Sequence, residues 1–195
     1  DAMKRLLNDF RDFGRLPSAE LKPLDLNALI VEVLQLYGDA PTQNYPSTQI
    51  PIRTDLDPDC PLILADAQQL RQVLHNLLQN AQDATEATLL QSPDAATQIN
   101  ELRPVLLTTK WRKTSKRVRL SVQDQGGGFP DAILKRAFEP YVTTKAKGTG
   151  LGLAVVKKIA DDHGARIDIS NVVEGGFVKG AQVSLSFNIS NTGAA

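Results

Sequence analysis

Three groups of residues have types and spacings that could do chemistry. Asn76, Asn80 and Asp83 stand at i, i+4 and i+7, which on a helix places them in one polar row. Asparagine is a mediocre helix former because its amide competes for backbone groups, so two on one row call for a reason. An amide carbonyl is a hard oxygen ligand, and Mg²⁺ prefers oxygen while keeping waters and phosphate oxygens around it. Solvation, or capping of a neighbouring loop, is the alternative use of such a row.

The second group is DQGGGFP, residues 124–130, entered from the alternating run KRVRLSVQ. Glycine loses more backbone entropy on folding than any other residue, so three in succession mark a place that something approaches closely. The third is GTGLGL, residues 148–153, which opens an apolar-periodic run. A helix starting there aims unpaired N–H groups and its positive dipole end at the gap before it, an arrangement that favours phosphate. Between the two clusters lie Lys135, Arg136, Lys145 and Lys147 against Asp131 and Glu139, a net-positive lid. Other phosphate motifs fail. GTGLGLA has its third glycine too early, and no strand directly before it, for the dinucleotide fingerprint. No lysine followed by serine or threonine closes a P-loop, and the serine/threonine protein kinase set is missing. Two unrelated glycine turns remain the competing reading.

Elements must hold these groups. The polar row lies in the longest helical pattern, Ala67 to about Leu90, whose apolar face is Leu70, Val73, Leu74, Leu77, Leu78, Ala81 and Ala84. VLLTTKWR (105–112) and RVRLSVQD (117–124) alternate as adjacent strands, the second ending at the glycines. A helix is expected from about Thr149 to His163, then strands ARIDISNV (165–172) and AQVSLSFNI (181–189). Upstream, PLDLNALIVEVLQLYG (23–38) reads as a helix with Asp25 or Asn27 near its cap and Gly38 closing it. IPIRTDLD (50–57) and PLILAD (61–66) read as short strands, with a turn-rich loop over 40–49 before them. Residues 1–16 form an amphipathic helical pattern, and residues 91–104 read as a connecting insertion. Strands that arrive in pairs rather than in βαβ alternation predict an α/β sandwich, with a mixed, largely antiparallel sheet covered on one face by helices.

Composition narrows the class. The 195 residues suit one main core, and 22 basic against 22 acidic residues leave no global field for nucleic acid or an anionic membrane. A single cysteine, Cys60, excludes an internal disulfide and a cysteine-based metal cage. No apolar run reaches the roughly 20 residues of a membrane helix. The chain opens on DAMKRLL, with neither a signal segment nor an obvious domain start, and reads as a piece of a longer protein.

HNLLQNAQDA (75–84), DQGGGF (124–129), FEPYVTTK (138–145) and GTGLGLAVVKKI (148–159) occur in the order and context of four boxes of a known family. Over about residues 20–190 the chain resembles the histidine-kinase ATP-binding domain, whose superfamily includes gyrase, MutL and the heat-shock chaperone ATPases. FEPYVTTKAKGTGLGLAVVKKI, with NDFRDFGRLPSAELKPLDLNALI upstream, is most similar to the NtrY branch of nitrogen-regulation sensor kinases.

That resemblance implies a Bergerat-type ATP-binding fold over residues 19–190, preceded by the end of a dimerisation and phosphotransfer hairpin (1–18) and followed by a disordered tail (191–195). It implies ATP and Mg²⁺ as ligands. Asp124 would accept from the adenine amino group, and Gly126 and Gly128 would let base and ribose approach. Asn80 would hold Mg²⁺, with Asn76 one turn earlier supporting it and Asp83 and Thr144 completing the ATP-binding set. Phe138 would anchor the lid, Lys145 would reach the phosphates, and Thr149, Gly150, Leu151 and Gly152 would offer them N–H groups. Gly127 has no implied role. Where the hydrolysing relatives carry a glutamate one turn before the metal asparagine, this chain has Asn76, which cannot act as a base.

His75 and His163 read as structural, so no catalytic residue is assigned and the acceptor histidine is expected outside the chain. The implied partners are the protein's own hairpin and an NtrX-like response regulator, with no nucleic acid and no direct membrane contact. The expected location is the cytoplasm, in a full-length protein anchored in the bacterial inner membrane. A serine-phosphorylating relative and a non-catalytic nucleotide-sensing module are the rival readings.

Overall fold

A computed structural model describes residues 14, 16–38, 50–91, 104–143 and 149–189. Most of the expected N-terminal helix and of the 91–104 insertion, the lid residues Thr144, Lys145 and Lys147, and the tail lie outside them. In chain order the elements are β1 (Lys22–Leu24), α1 (Leu26–Gly38), β2 (Ile52–Leu56), β3 (Ile63–Ala65), α2 (Ala67–Leu90), β4 (Val105–Arg112) and β5 (Arg117–Gln123). A single turn, α3 (Asp131–Leu134), then α4 (Gly152–Asp162), β6 (Arg166–Glu174) and β7 (Phe177–Asn188) complete them.

The main sheet has the order β2-β4-β5-β7-β6. β2 runs parallel to β4 and the other neighbours are antiparallel. This is the mixed, largely antiparallel sheet that paired strands predict. Alternation gives it two unlike faces. Val105 and Leu107 of β4, Val118, Leu120 and Val122 of β5, and Val183, Leu185 and Phe187 of β7 are buried in one core with Leu29 and Ile30 of α1, Leu70, Leu74 and Leu78 of α2, and Val156 and Ile159 of α4. Arg117, Arg119, Lys110, Ser184 and Ser186 occupy the alternate positions on the other face.

The buried Thr109 hydroxyl on the core side is satisfied in a closed set, as burial demands. The Thr109 hydroxyl donates to Asn27 Oδ1 at 2.8 Å and accepts from the Asp57 N–H at 3.0 Å, while Asn27 Nδ2 donates to the Asp57 carbonyl at 2.8 Å. Asn27 therefore ties α1 to β4 and to the turn after β2. The cap of α1 is Asp25, whose Oδ1 accepts from the Ala28 N–H at 3.0 Å. Cys60 packs half-buried against this corner, and burial pushes its thiol up.

The sequence pattern misses four features. β1 pairs antiparallel with β3, and its three residues are too few to show a period. β6 and β7 extend past the expected ends because Gly175 and Gly176, both at positive φ, join them in a two-residue hairpin turn. α4 starts at Gly152 rather than Thr149, after Gly150 at φ +69°. Within α2, Thr85 takes a buried place, while Ala84, expected on the apolar face, is half-buried.

α2 is fixed at its start by Asp66. Oδ1 accepts from the N–H groups of Gln68 (2.9 Å) and Gln69 (3.1 Å), and Oδ2 from that of Glu20 (2.9 Å). Its own N–H donates to His163 Nε2 at 3.0 Å, and His163 Nδ1 lies 2.8 Å from the Ile159 carbonyl. A ring that accepts at Nε2 and donates at Nδ1 is neutral, so His163 links the end of α4 to the start of α2. This is a structural role, as the sequence predicts for it.

Burial opposes the charge of Asp66, but the Glu20, Gln69 and Gln68 donors outweigh it and hold the carboxyl below its ordinary value. Its contribution is then present above the unfolded-state value of about 3.9 and is lost as pH falls through the lower folded value. Asp66→Ala is expected to cost about 1–2 kcal/mol at neutral pH. It should also make the loss of stability below about pH 4 shallower than in the wild type. Urea unfolding at neutral and acid pH measures both, and an unchanged neutral midpoint would exclude the cap.

Candidate functional site

Between α2 and α4, over the ends of β5 and β7, lies a cavity of about 540 Å³, within the size range of small-molecule sites. Asn76, Asn80 and Asp83 line it from α2; Val122, Asp124, Ala181 and Val183 from the sheet; Gly128, Phe129, Ile133 and Ala137 from the segment after the glycines. Thr149, Gly150, Leu151 and Gly152 close the far side with Val142 and Thr143. The structure thus gathers most of the sequence-predicted residues in one cavity. Gly126 and Phe138 do not line it, and Thr144 and Lys145 lie outside the described residues.

Asp124 is built in from both sides. Its N–H donates to the Ala181 carbonyl at 2.9 Å, continuing the β5–β7 ladder by one rung. Its Oδ1 accepts from the N–H groups of Gly126 (2.8 Å) and Ala181 (3.0 Å). The side chain is 8% exposed, so a carboxylate sits at the cavity floor in an orientation set by backbone donors.

The glycines around it have unequal reasons. A Cβ on Gly126 would stand 2.8 Å from the Ala84 carbonyl oxygen, and one on Gly128, at φ +74°, 2.5 Å from Val178 and 2.7 Å from Asn171 Oδ1. Gly127 has only Thr88 Oγ1 at 4.0 Å. The helix and the hairpin thus approach this backbone from two sides. Thr85 bridges to the helix, accepting from the Gln125 N–H at 3.1 Å.

Sequence reasoning misses the residues that hold this loop from the hairpin. Asn171 accepts from the Phe129 N–H and donates to the Phe129 carbonyl, both at 2.8 Å, so its amide acts as a short piece of strand. Gly180, at φ +154°, lies so close that a Cβ would stand 2.1 Å from the Asp124 carbonyl oxygen. The only linear signal was an asparagine within one predicted strand and a glycine immediately before the next, residues that disfavour regular strand structure.

The opposite end of the cavity has different electrostatics. The N-cap of α4 is Leu151, which offers no side-chain cap, so the N–H groups of the first turn face the gap with the positive dipole end behind them. Asn76 Nδ2 donates to the Gly152 carbonyl at 3.3 Å, and its Oδ1 accepts from Gln72 Nε2 at 3.1 Å. The Asn80 amide lies beside Gly152, whose added Cβ would meet Asn80 Nδ2 at 3.4 Å. Tyr141, at φ +66°, donates its N–H to the Gly150 carbonyl at 3.0 Å. A non-glycine residue in that conformation costs about 1–2 kcal/mol, and this strained pair closes the base of the segment between the two clusters. Arg136 pairs with Glu139 at 2.8 Å, which partly offsets the positive charge expected there. His75 is exposed at the cavity margin rather than part of the core.

No group of three or more His, Cys, Asp or Glu side chains that could cage a metal occurs among the described residues. The oxygen of the Asn80 amide, next to an anion-favouring helix terminus, suits an ion that brings its other oxygens with it, and Mg²⁺ carried by phosphates is such an ion.

Comparison with known proteins gives concordant matches. The family described as histidine kinase-, DNA gyrase B-, and HSP90-like ATPase matches residues 65–191. The putative sensor histidine kinase NtrY-like of Rickettsia bellii is 32% identical over 96% of this chain and 27% of its own length. The sensor histidine kinase ZraS of Escherichia coli O157:H7 is 34% identical over 95% of this chain and 35% of its own. The crystal structure of full-length ShkA in complex with AMPPNP superimposes with a TM-score of 0.70 at 31% identity, covering 95% of this chain and 35% of that one. The chain therefore spans about a third or less of the length of these relatives.

The contacts around Asp124 predict an ordering of glycine substitutions. Gly180→Ala should cost about 3 kcal/mol or more, because the obstacle is backbone. Gly127→Ala should stay within about 0.5 kcal/mol. Chemical unfolding compares them, and equal stability of the two variants would show that the hairpin does not press on Asp124 as described.

Proposed function

The chain belongs to the histidine kinase-, DNA gyrase B-, and HSP90-like ATPases and is the ATP-binding domain of a sensor histidine kinase, and from that premise we propose that its longer protein passes the γ-phosphoryl group of ATP to a histidine on a helical hairpin. The observation that carries this reading is the polarity of the cavity, with a buried carboxylate at one end and an uncapped helix N-terminus at the other. Adenine, with an amino donor, fits the first, and a triphosphate fits the second.

In this reading Asp124 accepts from the adenine amino group, and Gly128 gives base and ribose room. Gly126 acts one step removed, by letting the loop pack on Ala84. Thr149, Gly150, Leu151 and Gly152 surround the phosphates, with Asp83 on the facing helix and Thr144 and Lys145 in the lid. Phe138, half-buried beside Ala137, steadies the lid from outside the cavity. Asn80 holds Mg²⁺, which when bound neutralises phosphate charge during phosphoryl transfer. Asn76 positions Gly152 and offers no base, so an attacking water is not activated there.

The histidine so phosphorylated would hand its phosphoryl group to an aspartate of a response regulator. The likeness to NtrY-like kinases supports a nitrogen-related branch and an NtrX-like regulator, although ZraS is as similar to this chain. Among the described residues no helix is long and apolar enough to cross a membrane. We place the domain in the cytoplasm, in a protein anchored in the bacterial inner membrane by other segments.

Asp124→Asn keeps an oxygen for the Gly126 and Ala181 N–H groups but turns a donor toward the adenine amino group. Calorimetry with ADP and Mg²⁺ is expected to show a loss of roughly tenfold to a hundredfold in affinity with the circular dichroism spectrum retained. Unchanged affinity in the folded variant would remove Asp124 from the site. The chain incubated with labelled ATP should acquire no acid-labile phosphate itself, yet should label a separately supplied hairpin domain. Self-labelling would contradict the assignment of the acceptor, and an unlabelled hairpin would favour a nucleotide-sensing module.

A further inference from the structure

The sheet face turned away from the helices carries an arrangement that the nucleotide site does not use. At successive positions of this face, Arg112 stands opposite Arg117 and Lys110 opposite Arg119. Ser186 of β7 lies between Arg119 and Arg166 of β6. Like charges directly opposite one another in a ladder are destabilising, and here two such pairs follow one another on the same face. Lys110 is drawn aside to Asp55 on β2, Nζ to Oδ2 2.8 Å. Arg112, Arg117, Arg119 and Arg166 make no ion pair among the described residues. Asp168, opposite Ser184, is on the same face and pairs with none of them.

Neutral partners orient the guanidiniums. Arg117 donates from Nε to Ser186 Oγ at 2.9 Å and from a terminal nitrogen to the Ser186 carbonyl; Arg119 donates to Ser184 Oγ at 2.7 Å. Each fork keeps N–H groups for another acceptor. Burial, and then the charge of Arg166 beside it, hold the Arg117 guanidinium below its ordinary value, the direction expected of a cation without a counter-ion.

We propose that this corner of the sheet is a docking surface for a carboxylate-rich protein segment, with the arginine forks taking its carboxylates. Charge complementarity sets the sign of the partner, and the residue type sets its chemistry, since arginine presents a planar fork matched to carboxylate geometry. A lipid surface fits less well. The exposed apolar residues of the β6–β7 hairpin, Val173, Phe177 and Val178, lie at its far end from Arg166, away from the cations, where a bilayer-binding surface would have them alongside. Nor does an aromatic platform for stacked bases accompany them: Trp111 alternates onto the other face.

Fluorescence anisotropy of the whole chain with a labelled polyglutamate peptide at low ionic strength tests this. Binding is expected, falling steeply with added salt. The double variant R112Q/R166Q, at two exposed positions, should bind roughly tenfold more weakly. R112K/R166K, which keeps the charges without the forks, should fall between, and ADP affinity should be unchanged in both. Absence of binding by the wild type, or equal binding by R112Q/R166Q, overturns the proposal. So does tighter binding of phosphatidylserine vesicles or duplex DNA, lost in the same variants, which would assign the surface to another class of partner.

Discussion

The structure depends on how the ladder between β5 and β7 is ended. At Asp124 the backbone takes one further rung from Ala181, and the side chain then turns back to hold the N–H groups of Ala181 and Gly126. The same carboxylate thereby finishes the sheet and starts the loop. Because it is fixed by backbone, its position follows from the register of the strands rather than from the rotamer of a flexible neighbour. Such preorganisation spares a ligand the cost of ordering its partner. The cost falls on the neighbouring sequence: Gly180 and Gly128 can carry no side chain without striking Asp124 or the hairpin.

The other end of the cavity is assembled by helices, and its reach is set by α2. Asp66 and His163 fix where α2 starts relative to where α4 ends, while Asn76 joins the middle of α2 to the start of α4. Two attachments about three turns apart along α2 leave the pair little freedom to rotate, so the uncapped terminus of α4 stays aimed across the cavity. Polar residues that would weaken an isolated helix are here the couplings between helices, which is why propensity alone gives no hint of their use.

Much of this was legible in the sequence because it depends on local pattern. The apolar row of α2, the alternation of β4 and β5, and glycines at a strand end and a helix start each have a short-range cause, and motif order joined them into one site. What escaped depends on distant contacts. Asn171 acts on Phe129 across 42 positions of chain, and Ala181, next to Gly180, acts on Asp124 across 57, and only strand register brings them together. β1 is too short to show a period, and Gly175-Gly176 was not read as the hairpin turn it is. Gly126 and Phe138 matched the motifs, yet neither lines the cavity.

Asn76 connects the geometry to the kind of reaction the domain can support. A glutamate there could polarise water next to the terminal phosphate; an amide held at both ends by Gln72 and Gly152 can neither take a proton nor move toward one. The cavity then contributes position and charge but no base, and those are the parts that phosphoryl transfer needs from a protein. In the proposed reading, with water not activated there, bound nucleotide would persist until a better nucleophile arrives. On that proposal the nucleophile would come from outside the cavity, since His163 is engaged at both ring nitrogens. His75, fixed on α2 beside Asn76, belongs to the helix that forms the wall of the site and cannot approach it from outside. A site that holds ATP without a base of its own is in this sense incomplete, and under the proposed reading its rate would be governed by how a partner segment is presented to it.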